Sequence, residues 1–332
     1  MARHPWVAAA DNGKPRWGVQ LITPNEPRAL PALMETAKLV ENLGFDAAFV
    51  FDHPGLHVDP WIALSGMATI TKTLRLGSAV NCNGYRHPGM LARLGADLDN
   101  LSDGRLIFGI GSGWLEWEFN AFDLEFRSVP KRQAALSEAL QIIQGVWGDQ
   151  PFSFSGDYHR AVNLQIQPRP VQNPRPPIMI GGSGERVTLR QVAQYAAACN
   201  ISEELAPNDP NATDADRAAV VTRKFNALRQ HCRDLGRPEN EVLHTHFTAN
   251  IILGPNQRVA DQKAAATDPS TSTSPGRRRG GREGILVAAP ERAVAYYRML
   301  RAAGAQYFVV QLDAPDHETI KLLAEQVIPE VA

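Results

Sequence analysis

A histidine and an aspartate follow an apolar run in the first part of the sequence. Residues 46–51 (DAAFVF) have the nearly continuous apolar pattern of a buried parallel strand, and Asp52 and His53 come next, in the segment FDHP. Histidine is the side chain best suited to exchange a proton near neutral pH, and a neighbouring carboxylate can orient it. One interpretation is that His53 relays a proton and that Asp52 orients it. The alternative is that Asp52 caps the turn and His53 packs against it.

Two glycine-rich segments stand where further predicted strands end. The segment 109–114 (GIGSGW) leaves room for a flat ligand to approach the backbone, although its spacing is not that of the GxGxxG dinucleotide motif. The second segment precedes a helix that we expect to open at Glu185, so its backbone N–H groups and the helix dipole would bind a phosphate. It consists of Gly181, Gly182, Ser183 and Gly184. The alternative is a tight turn between a strand and a helix.

Other chemistries find little support in the sequence. There is no GxSxG nucleophile elbow and no HExxH zinc motif. His244 and His246 share one face of a predicted strand, but no carboxylate or third histidine clusters with them, so we predict no metal site. The three cysteines lie far apart and lack zinc spacing, which makes a reducing cytoplasm the expected compartment.

The composition and charge restrict the class of protein. The 332 residues are 44% hydrophobic and 21% charged, as in an ordinary globular protein that can bury a large core. Lys and Arg total 34 against 35 Asp and Glu, so no overall charge attracts nucleic acid or an anionic membrane. No apolar run reaches the length of a membrane helix. We expect neither a nucleic acid nor a membrane as partner.

Strand and helix patterns alternate along the chain. Short apolar runs predict eight strands, at residues 17–22, 46–51, 74–81, 105–110, 178–180, 198–201, 242–253 and 306–312. Helical patterns recur between them, and the first strand leads into TPNEP rather than into a dinucleotide-binding loop. The pattern therefore favours an α/β fold of the closed (β/α)8 TIM-barrel type over an open sheet. In such barrels the active site lies at the carboxyl ends of the strands, which is where the segments described above fall.

The barrel is predicted to be a single domain with additions. Residues 1–16 form an N-terminal extension and residues 17–332 form the barrel domain. Residues 152–164 alternate weakly and predict a hairpin. Residues 268–284 (DPSTSTSPGRRRGGREG) have no apolar periodicity and predict a mobile insertion. Its arginines could close over an anionic ligand at the barrel mouth, but a solvated, disordered insertion is the favoured interpretation.

Four motifs in order resemble those of the luciferase-like oxidoreductases, and most closely the branch that uses coenzyme F420. They are LVENLGFDAAFVFDHP at 39–54, LRLGSAVNCNGYRHP at 74–88, LDNLSDGRLIFGIGSGW at 98–114 and PPIMIGGSGERVTLRQVAQYAAACN at 176–200. The resemblance implies a deazaflavin-dependent enzyme that transfers a hydride between C5 of the cofactor and an organic substrate. An FMN-dependent monooxygenase that uses reduced flavin and oxygen is the alternative, and a cofactor-binding barrel without turnover is a further one.

The resemblance also implies roles for individual residues. Members of the family carry a cis peptide bond behind the central ring of the cofactor, and the matching bond is Ala79–Val80. Asp52 matches a residue that hydrogen-bonds the polar edge of the ring, and His53 matches a proton donor or acceptor at the hydride site. The other residues expected to bind the cofactor are Asn81 beside the ring, Gly111, the phosphate turn formed by Gly181, Gly182, Ser183 and Gly184, and Asn200, in a segment where Ala197 replaces the usual aspartate.

Two residues are assigned to the substrate, Trp114 and Glu118. Sugar-phosphate dehydrogenases of this family carry a glutamate where this chain has Trp114, and the tryptophan favours an apolar or aromatic substrate. Glu118 falls on a predicted helix, where the alternative is that it only complements the helix dipole. The resemblance implies a homodimer, and a reductase that supplies reduced cofactor would be a further partner.

Overall fold

A ring of parallel strands forms the centre of the computed structural model, which describes residues 3–22, 29–202, 212–248, 250–266, 286–312 and 316–331. The strands are β1 (Arg16–Gln20), β2 (Ala47–Val50), β3 (Arg75–Ser78), β4 (Asn81–Cys82), β5 (Leu106–Gly111), β6 (Phe152–Ser155), β7 (Arg160–Leu164), β8 (Ile178–Gly181), β9 (Ala198–Asn200), β10 (Thr245–Thr248), β11 (Ile251–Leu253), β12 (Leu286–Ala288) and β13 (Tyr307–Gln311).

Helices alternate with these strands along the chain. They are α1 (Pro5–Ala8), α2 (Ala29–Asn42), α3 (Pro60–Ile70), α4 (Pro88–Leu101), α5 (Glu116–Ala121), α6 (Val129–Val146), α7 (Thr188–Tyr195), α8 (Asp214–Asp234), α9 (Gln257–Ala266), α10 (Pro290–Ala302), α11 (His317–Leu322) and α12 (Ile328–Val331). Short 3-10 segments follow α1 and α8, at Ala9–Asn12 and Glu239–Glu241, and a π-helical segment, Leu323–Val327, joins α11 to α12.

Eight of the strands close into a barrel. Their order is β10–β13–β1–β2–β3–β5–β8–β9, and each neighbouring pair is parallel. Parallel bridges from Ala198 to Leu243 and from Ile201 to His246 join the two ends of this order. Because helices connect successive parallel strands, the predicted (β/α)8 barrel is confirmed.

Two apolar layers hold the barrel together. One includes Phe49 and Ile107 and fills the interior, and the other includes Leu33 and Leu140 and lies between strands and helices. Successive side chains of a strand point to opposite faces, so Ala48 belongs to the outer layer and its neighbour Phe49 to the inner one. Burial on both faces is the reason that the strands read as continuous apolar runs in the sequence.

The segment before β1 covers the amino ends of the strands. Trp6 is fully buried, and its ring meets that of Tyr307 edge-to-face with centroids 5.4 Å apart. The indole Nε1 of Trp6 donates to Asp46 Oδ2 at 3.1 Å, and the Tyr307 hydroxyl donates to the same oxygen at 2.9 Å. His4 caps α1 by accepting from the Trp6 N–H. These contacts close the barrel at the end opposite the one where the candidate site is expected.

Three predicted element boundaries are wrong. The third strand is interrupted at the cis peptide bond Ala79–Val80, which separates β3 from β4. The seventh strand ends at Thr248, because Asn250 has a φ of 48°, which an extended strand does not contain. The chain then continues as β11, which pairs with β12 outside the barrel. The helix expected to open at Glu185 begins at Thr188.

The remaining predicted segments lie outside the barrel. The hairpin predicted at 152–164 is confirmed by the antiparallel pair β6–β7. The insertion predicted at 268–284 lies outside the described residues. Of the helices that the structure describes, none is both long enough and apolar enough to cross a lipid bilayer.

Candidate active site

A cavity of about 460 Å³ lies at the carboxyl ends of the strands. The structure brings most of the predicted site residues together around it. Those that line the cavity are Asp52, His53, Ala79, Val80, Asn81, Gly111, Trp114, Gly181, Gly182, Ser183 and Asn200. Gly184 and Glu118 are not part of the lining among the described residues, whereas Phe51, Tyr85 and Phe247 line it without having been predicted.

The segment between β3 and β4 forms a bulge that borders the cavity. Its Ala79–Val80 bond is cis, as the family resemblance implies. The buried amide of Gln20 donates from Nε2 to Ala79 O at 2.9 Å. Asn81 donates from Nδ2 to Gly109 O at 2.8 Å, and its backbone N–H donates to Ser78 Oγ at 3.0 Å. Side chains of β1, β3 and β4 therefore hold the bulge in place.

Glycines in β5 and β8 make room for this bulge. A Cβ atom on Gly109 would lie 1.8 Å from the carbonyl oxygen of Ser78, closer than any side chain tolerates. A Cβ atom on Gly111 or Gly181 would lie 2.8 or 2.9 Å from the methyl groups of Val80. The sequence suggested that the first glycine segment leaves space for a flat ligand. In the structure, Gly109, Gly111 and Gly181 leave space for the protein's own bulge between β3 and β4.

Asp52 is bonded to Arg86 rather than to His53. Its side chain is 1% exposed, and both carboxylate oxygens accept from Arg86 Nη1, at 2.9 and 2.8 Å. Oδ2 also accepts from the Cys82 N–H at 2.9 Å. Burial raises the pKa of Asp52 above its usual range, and the Arg86 charge opposes that rise. The structure thus corrects the expectation that Asp52 orients His53, because other donors occupy its oxygens.

Glu118 takes the place expected of Asp52. Its Oε2 lies 2.7 Å from His53 Nδ1 and accepts from the Tyr85 hydroxyl at 2.7 Å, while Oε1 accepts from the Gly55 N–H at 3.1 Å. Burial raises the pKa of Glu118, but these hydrogen bonds outweigh burial and place the pKa below its ordinary value. Glu118 is fully buried, which corrects its assignment to the substrate: α5 directs this side chain to the loop after β2.

The glycine turn after β8 offers backbone donors with a buried cation behind them. Within the described part of the chain, the N–H groups of Ser183 and Gly184 have no acceptor. The carbonyl oxygen of Ser183 accepts from Lys224 Nζ at 2.8 Å, and Lys224 is 4% exposed. Residues 185–187 separate the turn from α7, so the helix dipole acts from further away than the sequence predicts. The free N–H groups and the lysine charge still suit an anionic ligand.

Two buried amide oxygens at the cavity have no donor. Asn81 Oδ1 and Asn200 Oδ1 lack a hydrogen-bond partner among the residues that the structure describes, and both residues line the cavity. A buried acceptor without a donor costs about 1–3 kcal/mol, so a ligand with N–H or O–H groups would relieve both. Together with the turn after β8, these atoms fit a polar heterocycle that carries a phosphate.

Apolar side chains surround the space next to His53. Trp114 is 49% exposed, and its ring meets that of His53 edge-to-face with centroids 6.0 Å apart. Phe51 and Phe247 line the same cavity. Cys82 lines it too, but burial raises the pKa of its thiol to about 12, so the nucleophilic thiolate is not formed at neutral pH. The arrangement suits proton exchange at His53 next to an apolar ligand.

The comparison with known families decides the family of this chain. The sequence model described as luciferase-like monooxygenase matches residues 16–311, which include the whole barrel. The chain belongs to this family. This luciferase-like protein is therefore an oxidoreductase, and the predicted family resemblance is confirmed.

Individual relatives are similar over most of their length. The F420-dependent glucose-6-phosphate dehydrogenase of Amycolatopsis mediterranei (strain U-32) is 27% identical over 326 residues, which cover 90% of this chain and 94% of the relative. The F420-dependent hydroxymycolic acid dehydrogenase of Mycobacterium tuberculosis (strain ATCC 25618 / H37Rv) is 28% identical over 302 residues, with 81% and 80% covered. The coenzyme F420-dependent tetrahydromethanopterin reductase from Methanopyrus kandleri superposes with a TM-score of 0.77 at 19% identity, with 96% and 100% covered, which shows a shared fold.

Sequence reasoning missed several residues of the luciferase-like site. Tyr85 and Arg86 come just after β4, and that position at the carboxyl end of a strand was a usable signal. Lys224 lies within the long helix α8, and Phe247 lies within β10. No motif surrounds either of them, and only the closed barrel brings them to the site.

Proposed function

We propose that the protein is a coenzyme F420-dependent oxidoreductase that acts on an apolar or aromatic organic substrate, with His53 as the group that moves the proton. The observation that carries this proposal is the position of His53, which lines the cavity beside the Ala79–Val80 bulge and is held at Nδ1 by the buried Glu118. Both dehydrogenase relatives described above are named for the same cofactor, which supports the choice.

The described residues fit such a cofactor. Asn81 and Asn200 offer buried amide acceptors to N–H and O–H groups of its ring, and the N–H groups of Ser183 and Gly184 would hold its phosphate. When bound, F420 supplies a carbon that accepts or donates a hydride. The chain's own contribution is to orient the substrate, to exclude water and to exchange a proton at His53.

The cavity supports an apolar substrate rather than a sugar phosphate. Trp114, Phe51 and Phe247 line it, and within the described residues its lining contains no lysine or arginine. A phosphorylated substrate usually needs such a cation or a dedicated backbone turn, and the turn after β8 is assigned to the cofactor. An aromatic or alicyclic substrate packed on Trp114 would lie next to His53, because the two rings are in contact.

An FMN-dependent monooxygenase is the second candidate. The description of the matching family as luciferase-like monooxygenases favours it. The asparagine acceptors and the turn after β8 would suit a flavin with one phosphate as well as a deazaflavin. Such an enzyme would consume oxygen, whereas the F420-dependent enzyme would not.

Titration with the two cofactors separates these candidates. The purified protein is titrated with oxidised coenzyme F420 and, separately, with FMN, and ligand fluorescence is followed. Micromolar binding of F420 with weak binding of FMN is the expected result. The reverse preference, together with oxygen uptake in the presence of reduced flavin, would replace the proposal by the monooxygenase. Binding of neither cofactor would indicate a barrel without catalytic activity.

Substitution of His53 tests its role in the reaction. In His53→Ala we expect F420 to bind with unchanged affinity and kcat to fall by about 100-fold or more, the usual loss for a group that transfers a proton. Fluorescence titration and steady-state kinetics measure the two quantities. A variant with full activity would remove His53 from the mechanism.

Substitution of Trp114 tests the substrate class. Trp114→Ala removes the ring that is in contact with His53, so KM for an aromatic substrate should rise by about three- to tenfold. Phe122→Ala is the matched control, because Phe122 is equally exposed and is absent from the lining that the described residues form. Equal KM values for the two variants would contradict an aromatic substrate at this position.

A further inference from the structure

We propose that Glu118 positions His53 and determines which of its ring nitrogens carries the proton, so that Nε2 is presented to the cavity as the proton-accepting atom. Glu118 itself does not line the cavity, so it acts on the reaction only through His53. The inference rests on the proposed function for the reaction that uses this proton, whereas the protonation state of His53 is a property of the protein alone.

Three donors converge on the Glu118 carboxylate. The Gly55 N–H has no lone pair to offer, so it can only donate to Oε1. The Tyr85 hydroxyl donates to Oε2, and burial raises the pKa of Tyr85 far above its usual value, so the phenol keeps its proton. A carboxylate that already accepts two such bonds is stabilised in its charged form, because hydrogen bonds to the charged form favour it. Charged Glu118 accepts at Oε2, and His53 Nδ1 must therefore carry a hydrogen.

The second ring nitrogen of His53 is the one left for a substrate. Among the described residues, Nε2 makes no hydrogen bond, and His53 lines the cavity. With the proton on Nδ1, neutral His53 has its lone pair on Nε2. A substrate hydroxyl could therefore give its proton to Nε2, and the positive charge formed on the ring would lie against the carboxylate of Glu118.

Asp52 and His57 are titratable neighbours of His53, and neither supplies its counter-charge. Asp52 precedes it in the chain, but its charge is matched by Arg86, which also contacts Asp59. His57 lies on the same loop, with its ring centroid 6.3 Å from that of His53. Glu118, on α5, contacts the ring directly, because its Oε2 lies 2.7 Å from His53 Nδ1. The counter-charge for a protonated His53 is therefore supplied by Glu118.

A purely structural role for Glu118 is the competing explanation. The bond to the Gly55 N–H ties the loop after β2 to α5, and the carboxylate could serve only to hold that loop. The two explanations differ in whether the hydrogen of the His53 ring moves when the Glu118 side chain loses its charge but keeps its shape. Glu118→Gln makes this change, and Tyr85→Phe is the matched variant that removes one donor and leaves the carboxylate in place.

The test is nitrogen NMR on protein that contains ¹⁵N-labelled histidine and no cofactor. The His53 signals are identified by their absence in His53→Gln. We expect the neutral ring of wild-type His53 to carry its hydrogen on Nδ1, Tyr85→Phe to retain that form, and Glu118→Gln to shift the ring towards the Nε2–H form. A wild-type ring with its hydrogen on Nε2 would overturn the proposal without any variant, and so would a Glu118→Gln spectrum identical to that of the wild type.

A kinetic measurement adds a second readout once a substrate is in hand. Glu118→Gln should lower kcat by about 100-fold while KM and the Kd of F420 stay within about twofold of the wild type. A loss of cofactor affinity with unchanged kcat would assign Glu118 to loop structure alone. If F420 does not bind but wild-type His53 carries its hydrogen on Nδ1, the proposed function fails and the assignment of Glu118 stands. If F420 binds but the hydrogen of wild-type His53 is on Nε2, the assignment of Glu118 fails and the proposed function stands.

Discussion

Arg86 joins two carboxylates that differ sharply in burial, and this difference gives a quantitative prediction. Nη1 of Arg86 contacts both oxygens of Asp52, at 2.9 and 2.8 Å, and Nη2 lies 2.6 Å from Asp59 Oδ2. The Asp52 side chain is 1% exposed and that of Asp59 is 43% exposed. A charge that stays buried without its partner strongly lowers the free energy of unfolding, whereas an exposed ion pair adds little to it because water screens the pair.

Arg86→Met should therefore destabilise the protein far more than Asp59→Asn does. The variant leaves the Asp52 carboxylate buried with the Cys82 N–H as its remaining donor from the described residues. Breaking a buried pair in this way costs about 3–5 kcal/mol in the free energy of unfolding. Asp59→Asn removes only the exposed charge, and an asparagine can still cap α3 by accepting from the Trp61 N–H. We expect the control to cost about 0–1 kcal/mol.

Urea unfolding at pH 7 measures both values. If the costs of Arg86→Met and Asp59→Asn agree within about 1 kcal/mol, the reasoning from burial is refuted. The pH dependence provides a further check with a defined sign. Burial already raises the pKa of Asp52, and removal of Arg86 raises it further, above the value in the unfolded chain. Protonation then relieves the buried charge, so the deficit of Arg86→Met should shrink as the pH falls from 7 towards 4.

Two further predictions concern packing and acid stability. Gly109→Ala places a Cβ atom 1.8 Å from Ser78 O and should lower the free energy of unfolding by about 3 kcal/mol or more. In the control Gly66→Ala, on α3, the new Cβ atom meets only the flexible side chain of Met34, so the stability should stay within about 1 kcal/mol of the wild type. Equal stabilities of the two variants in urea would contradict this explanation of Gly109. Burial and the charge of Arg229 lower the pKa of His244 from 6.5 to about 4, so the unfolded chain takes up a proton first. His244 should therefore lower the stability by about 1.4 kcal/mol per pH unit as the pH drops from 6.5 to 4. Burial also lowers the pKa of His4 to about 4, so His244→Gln should reduce the slope by this amount rather than abolish it, and unfolding curves at pH 7, 5.5 and 4.5 measure the difference.

The order of elements could be read from the sequence because it depends on local patterns. Continuous apolar runs mark strands that are buried on both faces, and amphipathic spacing marks the helices that cover them. The alternation of the two predicts a barrel, and the barrel rule places Asp52, His53 and both glycine segments at one end. The cis bond at Ala79–Val80 came from the family resemblance and not from any local pattern.

Boundaries and hydrogen-bond partners depend on contacts between distant parts of the chain. The early end of β10 follows from the backbone of Asn250, and the late start of α7 follows a turn that no residue type announces. His53 is adjacent to Asp52 in the chain, yet its partner is Glu118, 65 positions away. Asp52 in turn is paired with Arg86, 34 positions away.

The sequence by itself therefore determined the family, the barrel and the end of the barrel where the chemistry takes place. These follow from the periodicity of apolar residues and from short motifs, which are local properties of the chain. Only the tertiary structure decided that Glu118 rather than Asp52 holds His53, and that the glycines accommodate a bulge of the protein itself. The physical reason is that a hydrogen bond or a steric contact acts over a few ångströms, and closure of the barrel decides which distant residues come that close.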